Sequence, residues 1–445
     1  MKSLKLLTIC GATLMLVACT KDDVTTTASF EELKATQPTP VAFSTYLGDQ
    51  AVTRAGATGA MTTETLKTNG FGVFAYHTVA AYNSSTAPNF MYNQQVSYNS
   101  TSSAWTYTPV KYWPNDFANG NVDNSSAQGT GTNGFLSFFA YAPYVATSSL
   151  TSETIGITAI STNTATSDPT LTFAKGNNPE VDLLWGTAGD NSYQNAANGT
   201  VTPKKYPDDV TGKAAVNVDL TKQTTGGNVN FAFKHALAKL GNITVDAFAD
   251  AVNDGSTNSQ AIANTTKITV TSVTVSTTAM PTSGTLNLAT GLWTLNASPT
   301  GSLNYTFSGD GLNSTIKEPA APVAPATLAW TDIPDGVPAA VSSYTPANLA
   351  ASFPLITFFP GQRPTITVSI VYTVRTEDTA LAKRYSEVVQ TISKAFQFPS
   401  GFAMNTQYNL AIHLGLTSVN FTASASPWDS ETAQAVDLPI NVASN

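Results

Sequence analysis

Apolar and polar residues alternate with a period of two along much of this chain, as expected for strands that bury one face. Ile366, Val368, Ile370, Tyr372 and Val374 form one such run, and Tyr408, Leu410, Ile412 and Leu414 form another. Phe71, Val73 and Ala75 alternate, as do Val229, Phe231 and Phe233. Phe135 through Tyr141 is a more continuous aromatic run, predicting a strand that stops before Pro143. Leu286-Asn287-Leu288 and Trp293-Thr294-Leu295 flank Ala289-Thr290-Gly291-Leu292, which predicts a hairpin whose turn uses the positive φ open to Gly291. Lys234 through Leu240 reads as a short helical turn before Ile243 and Val245 resume the alternation. Segments 115–134 and 186–228 are rich in Gly, Asn, Ser and Thr and read as long surface loops.

Few stretches hold a helical period, and no repeat of fixed length is visible. The expectation is an all-β chain of two sandwich domains in tandem, spanning 55–225 and 226–445, with the change of character near residue 226 as the boundary.

Two short alternating segments near the ends matter most. Val41, Phe43, Thr45 and Leu47 form the first, and Val436, Leu438, Ile440 and Val442 form the second, spaced by Asp437, Pro439 and Asn441. Thr53-Arg54-Ala55 lies between the first segment and the body, and Arg54 is the only arginine before Arg363. An arginine-specific protease cutting between Arg54 and Ala55 would free the first strand and leave a slot. The tail of another copy could fill that slot by adding a strand. Pro439 has no N–H for a ladder, so it calls for a bulge or for one-sided pairing there. Taken alone, the tail reads equally well as a final edge strand folded onto its own domain.

Composition narrows the possibilities. With 42% apolar and 11% charged residues, the 445-residue chain can build large cores. Its net charge of −8 argues against a nucleic-acid partner. At the N-terminus, Lys2 and Lys5 precede an apolar run from Leu6 to Val17, shorter than the roughly 20 residues that span a bilayer. The run ends in Leu16-Val17-Ala18-Cys19, which resembles a bacterial lipobox. This predicts a signal peptide over 1–18 and a propeptide over 19–54, with lipid on Cys19 and the removable strand inside it. Cys10 is the only other cysteine and lies in the signal, so the mature chain has no internal disulfide. Lys21-Asp22-Asp23 resembles a surface-export signal of Bacteroidetes lipoproteins. No later apolar run reaches spanning length, so attachment to the outer membrane is expected through lipid alone.

Catalytic patterns are missing, and no enzyme, cofactor or metal is expected. His77, His235 and His413 are scattered, with His235 expected in a structural role at the domain junction. No phosphate loop, zinc spacing or nucleophile elbow occurs, and Ser308-Gly309-Asp310-Gly311 is too short for a calcium loop. Trp105, Trp113, Trp185, Trp293 and Trp330 read as sandwich core.

Several stretches taken in order resemble the fimbrillin family of Bacteroidetes, the subunits of type V pili. After the lipobox and Thr53-Arg54-Ala55 come Tyr112-Trp113-Pro114, Phe138-Phe139-Ala140-Tyr141-Ala142-Pro143 and Asp182-Leu183-Leu184-Trp185. Phe231 through Leu240, Gly401 through Tyr408, and Val419-Asn420-Phe421 with Trp428 complete the pattern. The resemblance implies two transthyretin-like β-sandwich domains, lipoprotein export, maturation by an arginine-specific protease and assembly with other pilin subunits, identical or different. It places lipid on Cys19, cleavage between Arg54 and Ala55, the departing strand at Val41–Leu47 and the donor at Val436–Val442. The alternative is a surface lipoprotein or tip adhesin that binds a host or bacterial surface ligand and forms no shaft.

Overall fold

The chain is almost wholly β in the computed structural model. This describes residues 39–47, 60–114, 134–150, 156–175, 182–188, 193–195, 199–201, 215–247, 266–308, 347–348, 355–378, 380–382, 385–414, 419–428, 436–438 and 441–442. Strand β1 (Ala42–Leu47) precedes helix α1 (Thr63–Asn69), after which come β2 (Phe71–Thr78), β3 (Met91–Asn99), β4 (Ala104–Thr106) and β5 (Phe135–Ala142). Next are β6 (Ile157–Ile160), β7 (Thr170–Ala174), β8 (Leu184–Ala188), the small β9 (Tyr193–Asn195) and β10 (Gly199–Val201), and β11 (Asn217–Leu220). A single turn, α2 (Lys222–Thr225), leads into β12 (Asn228–His235), β13 (Ala238–Ala247), β14 (Thr266–Thr277), β15 (Met280–Pro281), β16 (Ser283–Asn287) and β17 (Trp293–Leu295). Then follow β18 (Thr300–Gly301), β19 (Asn304–Ser308), β20 (Ala347–Asn348), β21 (Thr357–Phe358), β22 (Ile366–Glu377) and β23 (Tyr385–Gln397). The last are β24 (Thr406–Leu414), β25 (Val419–Pro427), and two tail strands, β26 (Val436–Leu438) and β27 (Asn441–Val442).

The first sheet runs β1-β12-β8-β5-β2-β3-β4, with β11 added on β5. Both of its faces are covered. One carries Phe71, Val73, Leu136, Phe138, Phe231 and Phe233, and Leu66 of α1 packs into the same core. The other carries Phe74, Tyr76, Phe139, Tyr141 and Trp185, packed on Ile157, Leu171, Phe173 and Leu286 of the four-stranded sheet β17-β16-β7-β6. This two-sided burial explains the unbroken aromatic run of β5. It also means that the alternation of Phe71, Val73 and Ala75 reveals only half of β2, because Phe74 and Tyr76 on the other face are buried as well.

A second sandwich packs the sheet β20-β13-β24-β25-β26 against β19-β14-β22-β23-β27. Its core includes Ile243, Tyr408, Leu410 and Ile412 from one sheet and Ile268, Val270, Val273, Val275, Val368 and Ile370 from the other. The register of β14 on β22 shifts between Val270 and Ser272. That bulge inserts one residue, so Val273 and Val275 keep facing the core after Ile268 and Val270. The described residues fall within one compact unit, Thr39–Asn445.

The expected hairpin is present, with Leu286 paired to Trp293 and Gly291 at φ +70°. A Cβ at Gly291 would strike the ring of Trp185, so the glycine serves close approach as well as the turn. Three local expectations fail. Lys234–Leu240 is no helical turn: β12 continues through His235 and β13 starts at Ala238. Segment 186–228 is no plain loop, because the end of β8, all of β9, β10, β11 and α2, and the start of β12 lie within it. Finally, α1 forms where no helix was anticipated, closed by a capping box between Thr62 and Thr65. The chain passes from the first sheet to the second sandwich after His235, while the β16–β17 hairpin pairs back onto β7.

Candidate strand-exchange site

The first alternating segment forms β1, seated at the end of the first sheet. It runs parallel to β12, with Phe43 opposite Val229, Thr45 opposite Phe231 and Leu47 opposite Phe233. Val41, Phe43 and Leu47 are buried and Thr45 half-buried, whereas Tyr46 is 55% exposed. The sheet curls enough to bring its opposite edge against β1. The Trp105 indole N–H of β4 donates to Thr45 Oγ1 at 3.0 Å, Val41 N–H donates to Lys111 O at 2.9 Å, and Trp113 N–H donates to Thr39 O at 3.0 Å. β1 therefore lies in a trough between β12 and the segment 104–113.

Aromatic rings line this trough. Phe43 meets Phe71, Phe138, Phe231 and Tyr107 at centroid distances of 5.4–6.0 Å. The Tyr107 hydroxyl donates to Val41 O at 2.8 Å, and burial raises its pKa. Gly227, at φ +90°, turns its carbonyl toward both Ala42 N–H and the Trp113 indole N–H, each at 3.0 Å. One carbonyl thus fixes the start of β1 and one wall of the trough.

The tail lies on the second sandwich. β26 pairs antiparallel with β25 (Val436 with Ala425, Leu438 with Ala423), and β27 pairs with β23 (Val442 with Phe396). Each is the last strand of its sheet, so the tail follows the outer edge of one sheet and then of the other. Pro439 and Ile440 fall between the two pairings and lie outside the described residues, as do Cys19, Arg54 and Ala55.

A buried polar node joins distant parts of the chain. His235 Nδ1 lies 2.7 Å from Asp182 Oδ2, and both side chains are fully buried. Asp182 also accepts from Met61 N–H at 2.7 Å and Leu183 N–H at 2.8 Å, while the His235 ring stacks on Trp428 at 4.0 Å. With these partners the pair acts as a brace between distant segments. Among the described residues no group of His, Cys, Asp or Glu is placed to hold a metal.

No protein-family model matches the chain. Fimbrium subunit Fim1C of Phocaeicola vulgatus is 33% identical over 191 residues, which are 41% of this chain and 39% of that protein. The chain thus matches about two fifths of the length of that curated relative. A crystal structure of a fimbrial protein from Bacteroides vulgatus covers 88% of this chain and 99% of its own, at 21% identity and a TM-score of 0.54, which establishes a shared fold. Over those 191 residues the chain is similar in sequence to a fimbrial subunit, and it shares its fold with a fimbrial protein.

The structure brings Val41, Phe43, Thr45 and Leu47 together with a wall and floor that the alternation did not disclose. Trp105, Tyr107, Phe71, Phe138 and Phe231 belong to that wall and floor. Of these, only Phe138 lay inside a stretch marked by the resemblance and Phe231 at the start of another. Trp113, from the third, is buried beside β1, and Trp185 is also buried, whereas Trp105 and Trp293 are half-buried and Trp330 lies outside the described residues.

Proposed function

We propose that this chain is a structural subunit of a cell-surface fimbria of the type V pilus kind, supporting adhesion. It is exported as a lipoprotein on Cys19, matured by an arginine-specific protease between Arg54 and Ala55, and polymerised when the C-terminal tail of one subunit replaces β1 in another. The observation that carries this reading is β1 itself: a short, separately seated strand with three buried side chains, parallel to its neighbour, just before the Arg54 segment. Its removal would expose an aromatic trough and unpaired backbone along β12, a surface that favours strand addition. The tail supports the same reading from the other end, because a strand paired on one side only has fewer ladder bonds to break before it can leave.

The test is to treat the purified, non-lipidated precursor with an arginine-specific protease and run it in detergent after mild heating. A ladder of resistant multimers is expected once Arg54 is cut, with this chain alone or mixed with a second pilin subunit. Complete cleavage after Arg54 with monomers alone under both conditions would contradict assembly and favour a ligand-binding surface protein.

A further inference from the structure

The place of Phe43 in the slot asks for a side chain that this chain's own tail does not have. The Phe43 ring lies edge-on to Phe71 and Phe138 and stacks on Phe231, with Tyr107 tilted against it. Such a pocket is shaped for a flat ring, and an aliphatic side chain there leaves a void. Val436-Asp437-Leu438-Pro439-Ile440-Asn441-Val442 holds no aromatic residue, so no register of the tail supplies one.

The backbone adds a second constraint. Ala42 N–H donates to Gly227 on the β12 side, whereas Val41 N–H donates to Lys111 on the opposite side. By the two-residue period of a strand, positions 42, 44 and 46 all present their N–H to β12. If the tail runs in the direction of β1 with Val436, Leu438, Ile440 and Val442 inward, Pro439 falls on that edge in every register and removes a ladder bond. A strand running the other way escapes the proline cost but still lacks the ring. The Thr45 position carries a third preference, because its hydroxyl accepts from the Trp105 indole.

We propose that the slot selects a donor strand from a different subunit over the tail of a second copy of this chain. The preferred donor reads apolar-x-aromatic-x-Ser/Thr-x-apolar, the pattern of Val41, Phe43, Thr45 and Leu47. The inference rests on the strand-exchange reading above and adds which partner the slot accepts. The fibre position of this chain is then next to an unlike neighbour on its slot side.

Peptides test this without altering the folded protein. Precursor cut after Arg54, freed of its propeptide in mild denaturant and returned to native buffer, is titrated with four labelled peptides: residues 39–48, the same with Phe43→Leu, residues 433–445, and the same with Leu438→Phe. The 39–48 peptide is expected to bind at least about tenfold more tightly than its Phe43→Leu form and than the unmodified tail. Leu438→Phe should strengthen the tail several-fold. Equal binding by the unmodified tail and the 39–48 peptide would overturn the selectivity while leaving strand exchange intact. If even the 39–48 peptide fails to bind the cut protein, the exchange reading falls as well.

Discussion

At the scale of single residues, burial decides which positions matter. Phe43 is held by rings on several sides, and Gly227 by the two N–H groups that share its carbonyl. Asp182 serves three donors or partners at once: Met61 N–H, Leu183 N–H and His235. Lys175 offers a residue-scale prediction about pH. Its ammonium lies 5.4 Å from the Phe358 ring centroid, and burial lowers its pKa from 10.5 to about 7. Below about pH 7 both folded and unfolded chains carry the proton, and the cost of desolvating the charge on this half-buried residue is present in full. Between about 7 and 10.5 the unfolded chain binds more protons than the folded one, so stability rises with pH through that window. Lys175→Met should be more stable than the natural chain at neutral pH and should flatten this rise. Urea unfolding midpoints at pH 6.5 and pH 9.5 would show it, and an unchanged pH slope in the variant would contradict it.

At the scale of elements, β1 is poised between staying and leaving. Burying Val41, Phe43 and Leu47 stabilises it by about 1.5–3 kcal/mol each, while ordering its six residues costs about 1–2 kcal/mol apiece. These terms nearly cancel, and ladder hydrogen bonds of about 0.5–1.5 kcal/mol each tip the balance toward a seated strand. A cut at Arg54 should therefore leave the propeptide bound until a competitor displaces it. Phe43→Ala removes about 3–5 kcal/mol of that hold, weakening retention roughly a hundredfold or more. Gel filtration of the cut precursor should show the propeptide co-eluting in the natural chain and separated in the variant. Equal retention in both would contradict the role given to Phe43.

The elements also show what the sequence could and could not disclose. β1, β22, β24 and the β16–β17 hairpin were legible because each buries one face or turns on a glycine, which leaves a period of two or a punctuation mark. β2 and β5 were only partly legible, since burial on both faces erases the alternation. α1 is too short to show a helical period and rests on a Thr62–Thr65 cap. The strands inside 186–228 were hidden by polar composition, because β11 is short and β8 is supported by neighbours far away in sequence. The aromatic wall around Phe43 and the Asp182–His235 pair are assembled from remote segments, and no local spacing encodes them. The tail's division between the edges of two sheets was likewise beyond the alternation of Val436 through Val442.

At the scale of the whole molecule, the features of interest sit at two places on one β framework. A parallel end strand is seated in an aromatic trough, and a C-terminal tail lies along two sheet edges. The fold is shared with a fimbrial protein from Bacteroides vulgatus, and 191 residues of the chain are 33% identical to the fimbrium subunit Fim1C. In the proposed exchange, the molecule gives up β1 and lends its tail, so it would engage a neighbour at each end, which is the requirement for extending a fibre. The proposed selectivity of the slot would then set order along the fibre, by favouring an unlike neighbour on one side.

An electron cryo-microscopy reconstruction of assembled filaments containing this chain is the most direct measurement. The account predicts that the berth of Val41, Phe43 and Leu47 holds a strand continuous with a neighbouring subunit, and that the chain begins at Ala55. Density showing the chain's own Ala42–Leu47 still in place and continuous through Arg54 would contradict it.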